Sequence, residues 1–463
     1  MAVAVAVLVM IAAPASTART ARAGTDWDTY GFSAGRHGLN PYETILGPAN
    51  AHRLHQAWSV RLGAVIDTQP LVASGVSVPI RHSRRRAVRD LIVVGTEKGL
   101  LVAVDARNGR RVWQTHLGYV DIPACSDLPH YGVTGTPVID RSTNRVYAAD
   151  GLGRVDQVDL STGRVERRWT ITSDPQHEHV WGALTLLDGV VYVELASYCD
   201  IPPYRGRVIS IDPGRNAIRR WFVTGRTGPY GGGIWGWGGL SAESGALYVA
   251  TGNSVGGTYR DAGYAEHVVR LTRDLRVSAS NYPGLPSGDA DFGATPLPFH
   301  AHGCPAQLAV GDKYGPFFVY DRDHIGSGPV QRLSLGGAPP NQHALLGLGA
   351  YWAAHRLLYV ANPAPAGPYH AGILAFRVTR HCRLSLAWQA PEPAHLTSSP
   401  SLANGVLFYD TGVTGKVKAL DARTGKRLWS SRLGASAFNA PSVANGAVYV
   451  GAWDRRLHAF TLG

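Results

Sequence analysis

The chain is a long series of short apolar runs separated by turns. Runs such as "LIVV" (91–94) and "LYVA" (247–250) alternate with stretches rich in Gly, Asp and Asn. No segment keeps apolar residues at the 3.6-residue spacing of an amphipathic helix, whereas short β-branched and aromatic runs bounded by turn residues are typical of strands. The pattern therefore predicts an all-β protein with many short strands.

One unit of this pattern repeats along the sequence. A strand ending in Asp leads into a turn with Thr-Gly or Asn-Gly, and the next strand ends in Trp, as in "LVAVDARNGRRVW" (101–113) and "VKALDARTGKRLW" (417–429). Trp58, Trp113 and Trp169 follow one another at intervals of about 55 residues. A repeat of this length with several strands indicates the blades of a β-propeller. Asp and Gly would close each turn, and the Trp would pack between neighbouring blades.

The repeats predict eight blades. Two degenerate units fit between Trp221 and Trp388, and no turn and Trp follow the last strand, "RLHAFTLG" (456–463). N-terminal residues up to Trp58 must then complete the last blade. We therefore expect residues 24–463 to form a single eight-bladed domain, with a funnel at one end where a ligand can be buried.

The first 23 residues are an apolar stretch that ends in the cleavage-type triplet Ala21-Arg22-Ala23. We interpret them as a signal peptide and expect a periplasmic or extracellular protein. The usual positive charge before the apolar run is missing, so a misplaced start codon and a retained membrane anchor stay open as alternatives. No later segment has about 18 uninterrupted apolar residues, and we expect no membrane span in the mature chain.

Cysteines and charge add less. The chain has four cysteines, which allow three disulfide connectivities. Cys125 and Cys199 lie in similar loop sequences, so we expect them to pair and to leave Cys304 with Cys382. The net charge of +12 comes mostly from scattered arginines. No nucleic-acid-binding motif accompanies them, and we expect no nucleic-acid partner.

The Asp-x-x-Thr-Gly-x-x-x-Trp turns resemble the tryptophan-docking repeats of the pyrroloquinoline quinone (PQQ) dehydrogenases. The opening segment "DWDTYGFSAGRHGLNPYETI" (26–45) is similar to that of the polyvinyl-alcohol-dehydrogenase branch, and the resemblance covers essentially the whole mature chain. It implies a quinoprotein alcohol dehydrogenase-like propeller with PQQ and calcium as cofactors. Non-catalytic propellers of the assembly-lipoprotein type share such repeats, so the site has to be argued from its own residues.

The stretch "IWGWGGLSAESGALYVATGN" (234–253) carries the first candidates. In the family, a Trp-Gly-x-Trp-type segment leads through a turn and a strand to Thr-Gly-Asn. The resemblance implies that the quinone stacks on Trp235 and that Asn253 is a calcium ligand. A flat cofactor needs an aromatic platform, glycines let backbone approach it, and an amide oxygen suits calcium. The alternative is that Trp235 is a packing residue and Asn253 a turn residue; Trp237 stays unassigned.

Two further stretches carry the catalytic candidates. The family places its catalytic Asp before an aromatic and a small residue, as Asp291 stands in "DADFG"; Asp289 matches less well. Asp291 would accept the alcohol proton as general base and touch the metal. Lys313 in "GDKYG" resembles a family cation that binds the quinone oxygens and stabilises charge as the cofactor accepts hydride. The alternatives are an Asp that satisfies its own loop and a solvated lysine.

Three weaker candidates complete the set. Glu194 in "VYVELASYCDIPPYRGRV" resembles a calcium-ligating Glu, although extra residues separate it from the Arg-Gly that follows in the family. Thr136 in "GVTGTPV" resembles a residue whose hydroxyl contacts the cofactor. His177 and His179 are spaced for a transition metal, but no third ligand is visible, so we interpret them as rim histidines.

Two family features are missing from the sequence: adjacent cysteines near the cofactor and a CxxCH haem motif. The resemblance implies oxidation of a small-molecule or polymeric alcohol, with electrons passing to an external acceptor such as a cytochrome c. The alternative is a non-catalytic propeller that binds a protein or a polymer. A scaffold has no reason to keep Trp235, Asn253, Asp291 and Lys313 in one funnel.

Overall fold

The structure is a computed structural model. It describes residues 24–80, 82–122, 128–255, 262–285, 290–336, 349–393 and 398–463. The proposed signal peptide, Asp289 and Cys125 lie outside these ranges. Within them, the chain forms eight four-stranded antiparallel blades, one of which carries an additional parallel strand, so the all-β eight-bladed prediction is confirmed.

The strands of each blade run in sequence from the axis outward, except that an N-terminal strand supplies the outer edge of blade 8. Blade 1 consists of Leu71–Pro79, Arg86–Gly95, Leu100–Asp105 and Arg111–His116, and blade 2 of Val138–Asp140, Arg145–Ala149, Arg154–Asp159 and Val165–Thr170. Blade 3 consists of Thr185–Leu187, Val190–Leu195, Arg207–Asp212 and Ala217–Phe222, and blade 4 of Ser241–Glu243, Ala246–Ala250, Val268–Leu271 and Val277–Asn281. Blade 5 consists of Leu297–Phe299, Gln307–Gly311, Pro316–Asp321 and Gln331–Ser334, and blade 6 of Ala350–Trp352, Leu357–Asn362, Gly372–Val378 and Leu384–Pro391. Blade 7 consists of Ser401–Ala403, Val406–Asp410, Lys416–Asp421 and Arg427–Arg432, and blade 8 of Ser442–Ala444, Ala447–Gly451, Arg456–Thr461 and His55–Arg61.

Short elements complete the described part of the chain. Leu39–Asn40 adds the parallel strand to blade 7, beside Ser401–Ala403. Two small two-stranded sheets pair Val120–Asp121 with His130–Tyr131 and Tyr230–Gly231 with Ser254–Val255. Four 3-10 helices are Ala51–Arg53, Tyr198–Asp200, Ile325–Ser327 and Ala353–His355.

Burial decreases from the first strand of a blade to the last. In blade 2, every residue of Val138–Asp140 is buried, whereas Val165–Thr170 is largely accessible. First strands of neighbouring blades contact one another around the axis, including those of blades 8 and 1. The apolar core lies between blades, where for example Val155 of blade 2 and Val191 of blade 3 share one cluster.

The two ends of the chain meet in blade 8. His55–Arg61 pairs antiparallel with Arg456–Thr461, and Ser59 lies opposite His458. This confirms that N-terminal residues complete the last blade. The ring is therefore closed by backbone hydrogen bonds between segments about 400 residues apart.

In several blades the repeated Trp joins the blade to the next one. Trp113 of blade 1 donates a hydrogen bond from Nε1 to Leu160 O in the turn of blade 2, at 2.8 Å. Its ring lies against Gly163, where an added Cβ would stand 2.6 Å from an indole carbon. Equivalent pairs are Trp58 with Ala106 and Gly109, and Trp388 with Ala422 and Gly425. The Thr-Gly turn is thus required twice: Gly adopts positive φ, and it leaves room for the neighbouring indole.

The opening segment lies along the propeller axis, which the sequence analysis did not predict. Residues 27–40 form hydrogen bonds with the first strands, or the residues next to them, of several blades. Trp27 pairs with Val72 of blade 1, Ala34 O accepts a hydrogen bond from Ala242 of blade 4, and Gly38 O accepts one from Leu402 of blade 7. We call residues 27–40 the axial segment. It contacts the blades in their order around the ring, from blade 1 at Trp27 to blade 8 at Asn40.

Arg36 fixes the axial segment in place. Its side chain has no exposed area, and its five N–H groups donate to carbonyl and hydroxyl oxygens, namely those of Leu240, Thr29, Tyr30, Leu184 and Thr185. Burial lowers the pKa of the guanidinium to about 10. A buried charge is tolerable only when hydrogen bonds compensate its lost hydration, as they do here.

Cys304 and Cys382 form a disulfide bond, as predicted. The Cys125–Cys199 pair includes a residue outside the described ranges and stays a prediction. In the residues that the structure describes, no helix is long and apolar enough to cross a membrane.

Candidate functional site

Backbone hydrogen bonds hold the two ends of the 234–253 stretch together. Gly232 N donates to Asn253 O at 2.6 Å, and Gly252 N donates to Gly233 O at 2.7 Å. The loop that enters blade 4 therefore lies beside the end of the second strand of that blade. Trp235 and Asn253, which are 18 residues apart in sequence, are consequently placed at one point.

Gly233 and Gly252 lie directly against the Trp235 indole. An added Cβ at either position would stand 2.7 or 2.8 Å from indole Nε1, and at Gly252 it would also meet the carboxylate of Asp291. A side chain at Gly233 would displace the indole, and one at Gly252 would displace both the indole and the carboxylate. These glycines therefore make room for site side chains.

Asp291 and Lys313 meet at the same point. Asn253 N donates to Asp291 Oδ1 at 2.8 Å, and Lys313 Nζ donates to Asp291 Oδ2 at 2.7 Å. Asp291 is buried, and a backbone bond from Lys313 N to Asp291 O, 3.0 Å long, fixes the two loops. We call Trp235, Asn253, Asp291 and Lys313 the Asp291 cluster. The structure thus brings four of the six predicted site residues together.

Two polar atoms of the Asp291 cluster have no hydrogen-bond partner among the described residues. They are Trp235 Nε1 and Asn253 Oδ1, and both are buried. A buried polar atom without a partner costs about 1–3 kcal/mol. Such a cost at two adjacent residues favours a ligand that supplies the missing contacts. The amide and carboxylate oxygens of Asn253 and Asp291 suit a hard cation such as calcium.

Two acidic residues next to the cluster were missed in the sequence. Glu266 N donates to Gly252 O at 3.0 Å, and Asp312 immediately precedes Lys313. Burial, together with the charge of Asp291, raises the pKa of Glu266 to about 7 and that of Asp312 to about 7. The motif "GDKYG" could have pointed to Asp312, whereas nothing in the sequence around Glu266 signals a site.

Glu194 lies at the end of the second strand of blade 3, and the next residue, Leu195, accepts a backbone hydrogen bond from Ile234 N, beside Trp235, at 3.3 Å. It is in the strand Val190–Leu195, on the same face as Tyr192, and its exposed fraction is 2 %. Burial raises the pKa of its carboxyl well above the usual range, and the charge that opposes this shift is that of Arg36. Both carboxyl oxygens are buried and lack hydrogen-bond partners among the described residues, as Asn253 Oδ1 does. The assignment of Glu194 as a calcium ligand stays a prediction.

Thr136 lies in the wall of a cavity of about 230 Å³ near the axis. Its Oγ1 accepts a hydrogen bond from Gln69 N at 2.9 Å. The wall comes from loops that precede the first strands of blades 1 to 4 and 8, and Tyr30 of the axial segment contributes to it. We call this the axial cavity; it is lined by Tyr30, Asp67, Leu128, Thr134, Thr136, Trp181, Tyr198, Trp237, Phe438 and Trp453.

A pair of carboxyl groups lies at the wall of the axial cavity. The side chains of Asp67 and Glu97 are hydrogen-bonded to each other. Trp453 Nε1 donates to Asp67 Oδ1 at 2.7 Å, and Thr134 Oγ1 donates to Glu97 Oε2 at 2.7 Å. Burial raises the pKa of Asp67 to about 6, and burial together with the charge of Asp67 raises that of Glu97 well above its usual range. The two groups therefore share a proton over part of the physiological pH range.

The two predicted rim histidines differ. His177 is partly exposed, and its Nδ1 lies 2.9 Å from both carboxylate oxygens of Asp174. His179 is buried rather than at the rim, and its Nδ1 accepts a hydrogen bond from Tyr198 N at 2.9 Å. Burial lowers its pKa to about 4. In the described part of the chain, no group of three or more His, Cys, Asp or Glu side chains could hold a metal, so a calcium site would depend on Asn253 and on ligand oxygens as well.

More than half of the chain matches a known protein family. The family model described as outer membrane protein assembly factor BamB matches residues 43–222 and 383–462, more than half of the chain. The chain belongs to this family. The unmatched residues 223–382 contain the whole Asp291 cluster. The segment that departs from the family model is therefore the one that carries the predicted chemistry.

Relatives with an enzymatic name resemble a larger part of the chain. The quinohemoprotein alcohol dehydrogenase of Comamonas testosteroni is 23% identical over 351 residues, which are 66% of this chain and 46% of that protein. The match thus spans about half the length of that relative. Together, the family model and this resemblance identify the chain as a quinoprotein alcohol dehydrogenase-like propeller.

Solved structures agree on the fold. A europium-containing methanol dehydrogenase superposes with a TM-score of 0.72 at 15% identity, covering 94% of this chain and 98% of that one. The Comamonas testosteroni enzyme gives 0.69 at 16% identity, covering 95% and 80%. BamB from Moraxella catarrhalis gives 0.57 at 12% identity, covering 88% and 99%. At these identities the likeness is one of fold, and nothing in it singles out the polyvinyl-alcohol-dehydrogenase branch.

Proposed function

We propose that this propeller oxidises an alcohol with PQQ and calcium bound at the Asp291 cluster, and that it works after export from the cytoplasm. The observation that carries the proposal is the meeting of Trp235, Asn253, Asp291 and Lys313 at one buried point, with Trp235 Nε1 and Asn253 Oδ1 lacking partners among the described residues. These residues come from four different segments of blades 4 and 5, and the fold alone does not require their chemistry.

Each residue of the Asp291 cluster would have a different role. Trp235 offers a flat surface, and Asn253 Oδ1 and the Asp291 carboxylate offer oxygens to a divalent cation. Bound PQQ would supply the two-electron acceptor, and calcium would polarise it. Asp291 would take the proton of the substrate hydroxyl as general base. Lys313 Nζ, 2.7 Å from Asp291 Oδ2, stabilises the negative charge of the carboxylate and provides positive charge beside the reacting atoms.

Electrons would leave to a separate acceptor such as a cytochrome c, since the sequence has no CxxCH motif for a haem of its own. The name of the Comamonas testosteroni relative and that of the methanol dehydrogenase support an alcohol as substrate. The low identity leaves the particular alcohol to experiment.

The test is reconstitution of the purified chain with PQQ and calcium, followed by an assay with an artificial acceptor over simple alcohols. We expect PQQ to bind at micromolar concentration and turnover to require calcium. Asp291→Asn should bind PQQ with little change and lose at least about 1,000-fold in kcat, within the range that removal of a general base costs. Asp323→Asn, an equal change of charge on the surface of blade 5, should leave kcat unchanged.

A second candidate function follows from the family model. Its description as an assembly factor, and its match to blades 1 to 3 and 6 to 8, favour a scaffold that binds another protein. Absence of PQQ binding at micromolar concentration would exclude the enzymatic proposal and leave this one. Turnover by Asp291→Asn at the unmodified rate would remove Asp291 as the base.

A further inference from the structure

The first two strands of blade 1 continue into a hairpin that the proposed function does not use. Leu71–Pro79 pairs with Arg86–Gly95, and Ile80 N donates to Arg85 O at 3.0 Å. In blades 3, 4, 7 and 8, two-residue turns join the corresponding strands. The longer strands of blade 1 therefore extend beyond the level of those turns. We call residues 74–80 and 82–90 the projecting hairpin.

The projecting hairpin is strongly basic. Residues 81–89 include five arginines. Arg89 forms an ion pair with Asp105. Among the residues that the structure describes, the other exposed arginines of the hairpin form no ion pair; they are Arg84, Arg85 and Arg86. Ala106 N donates to Asp90 O at 2.8 Å, so the next turn of blade 1 lies beside the hairpin. It adds two further exposed arginines, Arg107 and Arg110.

Exposed apolar side chains lie at the same face. Nine large apolar side chains are exposed in the described part of the chain, and four of them are Tyr42, Ile45, Ile80 and Val88. Val88 has the largest exposed fraction of the nine, 75 %, and it lies two residues from Arg86 on the same side of the hairpin. Clustered exposure of this kind marks a contact surface.

Hydrogen bonds connect Ile45 and the hairpin through one turn of blade 8. An added Cβ at Gly446 would stand 2.8 Å from the Ile45 side chain. The neighbouring Asn445 donates from Nδ2 to Ser74 Oγ, at the base of the hairpin, at 3.2 Å. The arginines and the exposed apolar side chains therefore belong to one surface, which we call the hairpin face.

The apolar stretch 1–23 joins the domain at the hairpin face. Gly24 follows that stretch directly, and an added Cβ there would stand 2.6 Å from Ser74 Oγ. Thr25 N donates to Asn445 Oδ1 at 2.7 Å. An apolar stretch held in a bilayer would therefore keep the hairpin face next to that bilayer.

The hairpin face and the Asp291 cluster lie at opposite ends of the propeller. The hairpin joins the end of a first strand to the start of a second one. Asp291 instead precedes the first strand of blade 5, and Asn253 follows the second strand of blade 4. Because the blades are arranged alike around the axis, first strands all begin at one end and finish at the other.

Charge and apolar exposure together select the partner. Arginines bind phosphate groups, and a soluble polyanion would satisfy them, but it offers nothing to Val88 or Tyr42. A bilayer with anionic lipids satisfies both kinds of side chain, because headgroups meet the cations and the acyl boundary meets the apolar groups. Tyrosine is also typical of this interface.

We propose that the hairpin face docks on the surface of a membrane that contains anionic lipids, through Arg84, Arg85 and Arg86 and the apolar contact of Val88. Docking leaves the Asp291 cluster directed away from the bilayer. This contact does not depend on the proposed oxidation.

The test is co-sedimentation of residues 24–463 with lipid vesicles. These residues contain every described strand of the closed ring, and they leave out the apolar stretch, which would bind lipid by itself. Vesicles of phosphatidylcholine mixed with phosphatidylglycerol are compared with vesicles of phosphatidylcholine alone. We expect at least about tenfold tighter binding to the anionic vesicles. Raising the salt concentration from about 0.1 M to about 0.5 M should weaken it, because salt screens surface charge.

Two variants locate the contact. Arg84→Gln combined with Arg85→Gln removes two charges at the hairpin tip and should weaken binding to anionic vesicles at least about tenfold. Val88→Thr keeps the β-branched shape and replaces a methyl by a hydroxyl group, and it should weaken binding about three- to tenfold. Circular dichroism and the melting temperature verify that each variant is folded.

Matched controls lie at the other end of the propeller. Lys98→Gln combined with Arg226→Gln removes two exposed cations there. Val413→Thr makes the same methyl-to-hydroxyl change at a valine that is 52 % exposed, between the second and third strands of blade 7. Both controls should bind anionic vesicles within about twofold of the unmodified chain.

Equal binding to anionic and neutral vesicles would overturn the proposal, as would full binding by the folded double arginine variant. Full binding by Val88→Thr would refute the apolar contact and leave a surface for a soluble polyanion instead of a bilayer. If the arginine variant does not fold, Val88→Thr and the salt dependence decide. PQQ-dependent turnover of Val88→Thr should be unchanged, so either proposal can fail without the other.

Discussion

In the Asp291 cluster the buried carboxylate has a cation beside it, with Lys313 Nζ 2.7 Å from Asp291 Oδ2. In the axial cavity Asp67 instead has another carboxyl beside it, that of Glu97. Both regions lie at the ends of inner strands, where loops from several blades converge. The fold thus accommodates a buried acid in two ways: by an ion pair formed within the chain, and by a proton that two carboxyl groups share.

The Asp291–Lys313 ion pair and the Asp67–Glu97 pair should contribute differently to the free energy of unfolding. Removing one partner of a buried ion pair leaves the other charge with less compensation, whereas removing one of two acids that share a proton relieves repulsion. Variants of the two regions should therefore act in opposite directions on the free energy of unfolding.

The largest effect is expected for Lys313→Met. The side chains of Lys313 and Asp291 have exposed fractions of 14 and 7 %, and the variant removes the cation while keeping much of the apolar stem. We expect the free energy of unfolding to fall by about 3–5 kcal/mol, measured by urea denaturation. Lys98→Met, at an exposed lysine, is the control and should change it by less than about 0.5 kcal/mol. A loss below about 1 kcal/mol would show that the ion pair contributes little.

An intermediate effect on the free energy of unfolding is expected when the pH is changed, because Asp67 at the axial cavity titrates. The folded-state pKa of Asp67 is raised from 3.8 to about 6, so ionisation opposes folding. Its contribution to stability is fully present below about pH 4 and is lost as pH rises through 6. Burial raises the pKa of Asp67, and its hydrogen bonds to Trp453 and Glu97 partly oppose that shift. The charge of Asp67 in turn raises the pKa of Glu97, Tyr131 and Asp410.

Asp67→Asn removes this dependence. Relative to the unmodified chain, the variant should gain on the order of 2 kcal/mol between pH 5 and pH 8. Urea unfolding at both pH values measures the difference, with Asp323→Asn as the control. An equal difference at the two pH values would mean that Asp67 is not held protonated by its surroundings.

What the sequence predicts well is local. In most blades the turn carries Asp, Gly and Trp within about a dozen residues, and the spacing of these turns reveals the number of blades even where two repeats are degenerate. Trp235, Asn253, Asp291 and Lys313 are likewise carried by short motifs. Their meeting follows because each motif ends at the same side of blades 4 and 5.

What the sequence does not predict depends on contacts between distant segments. The axial segment bonds to blades that follow it by up to several hundred residues, and its polar groups have no local pattern. The Asp67–Glu97 pair arises because two loops converge, and neither loop carries a motif. Glu194 shares a strand face with Tyr192, which packs between blades 3 and 4, so its position relative to Asn253 and Asp291 depends on how neighbouring blades pack.

The smallest effect is expected for Thr136→Val, and it decides whether the axial cavity and the Asp291 cluster share one ligand. The variant keeps side-chain shape and removes the Oγ1 acceptor of Gln69 N, so the free energy of unfolding should fall by about 1 kcal/mol. Because this hydroxyl already serves the fold, we expect PQQ affinity to stay within about twofold in a fluorescence titration. The sequence resemblance implies instead that the hydroxyl contacts the cofactor. A clear loss of PQQ affinity would support that contact and would extend the cofactor site into the axial cavity.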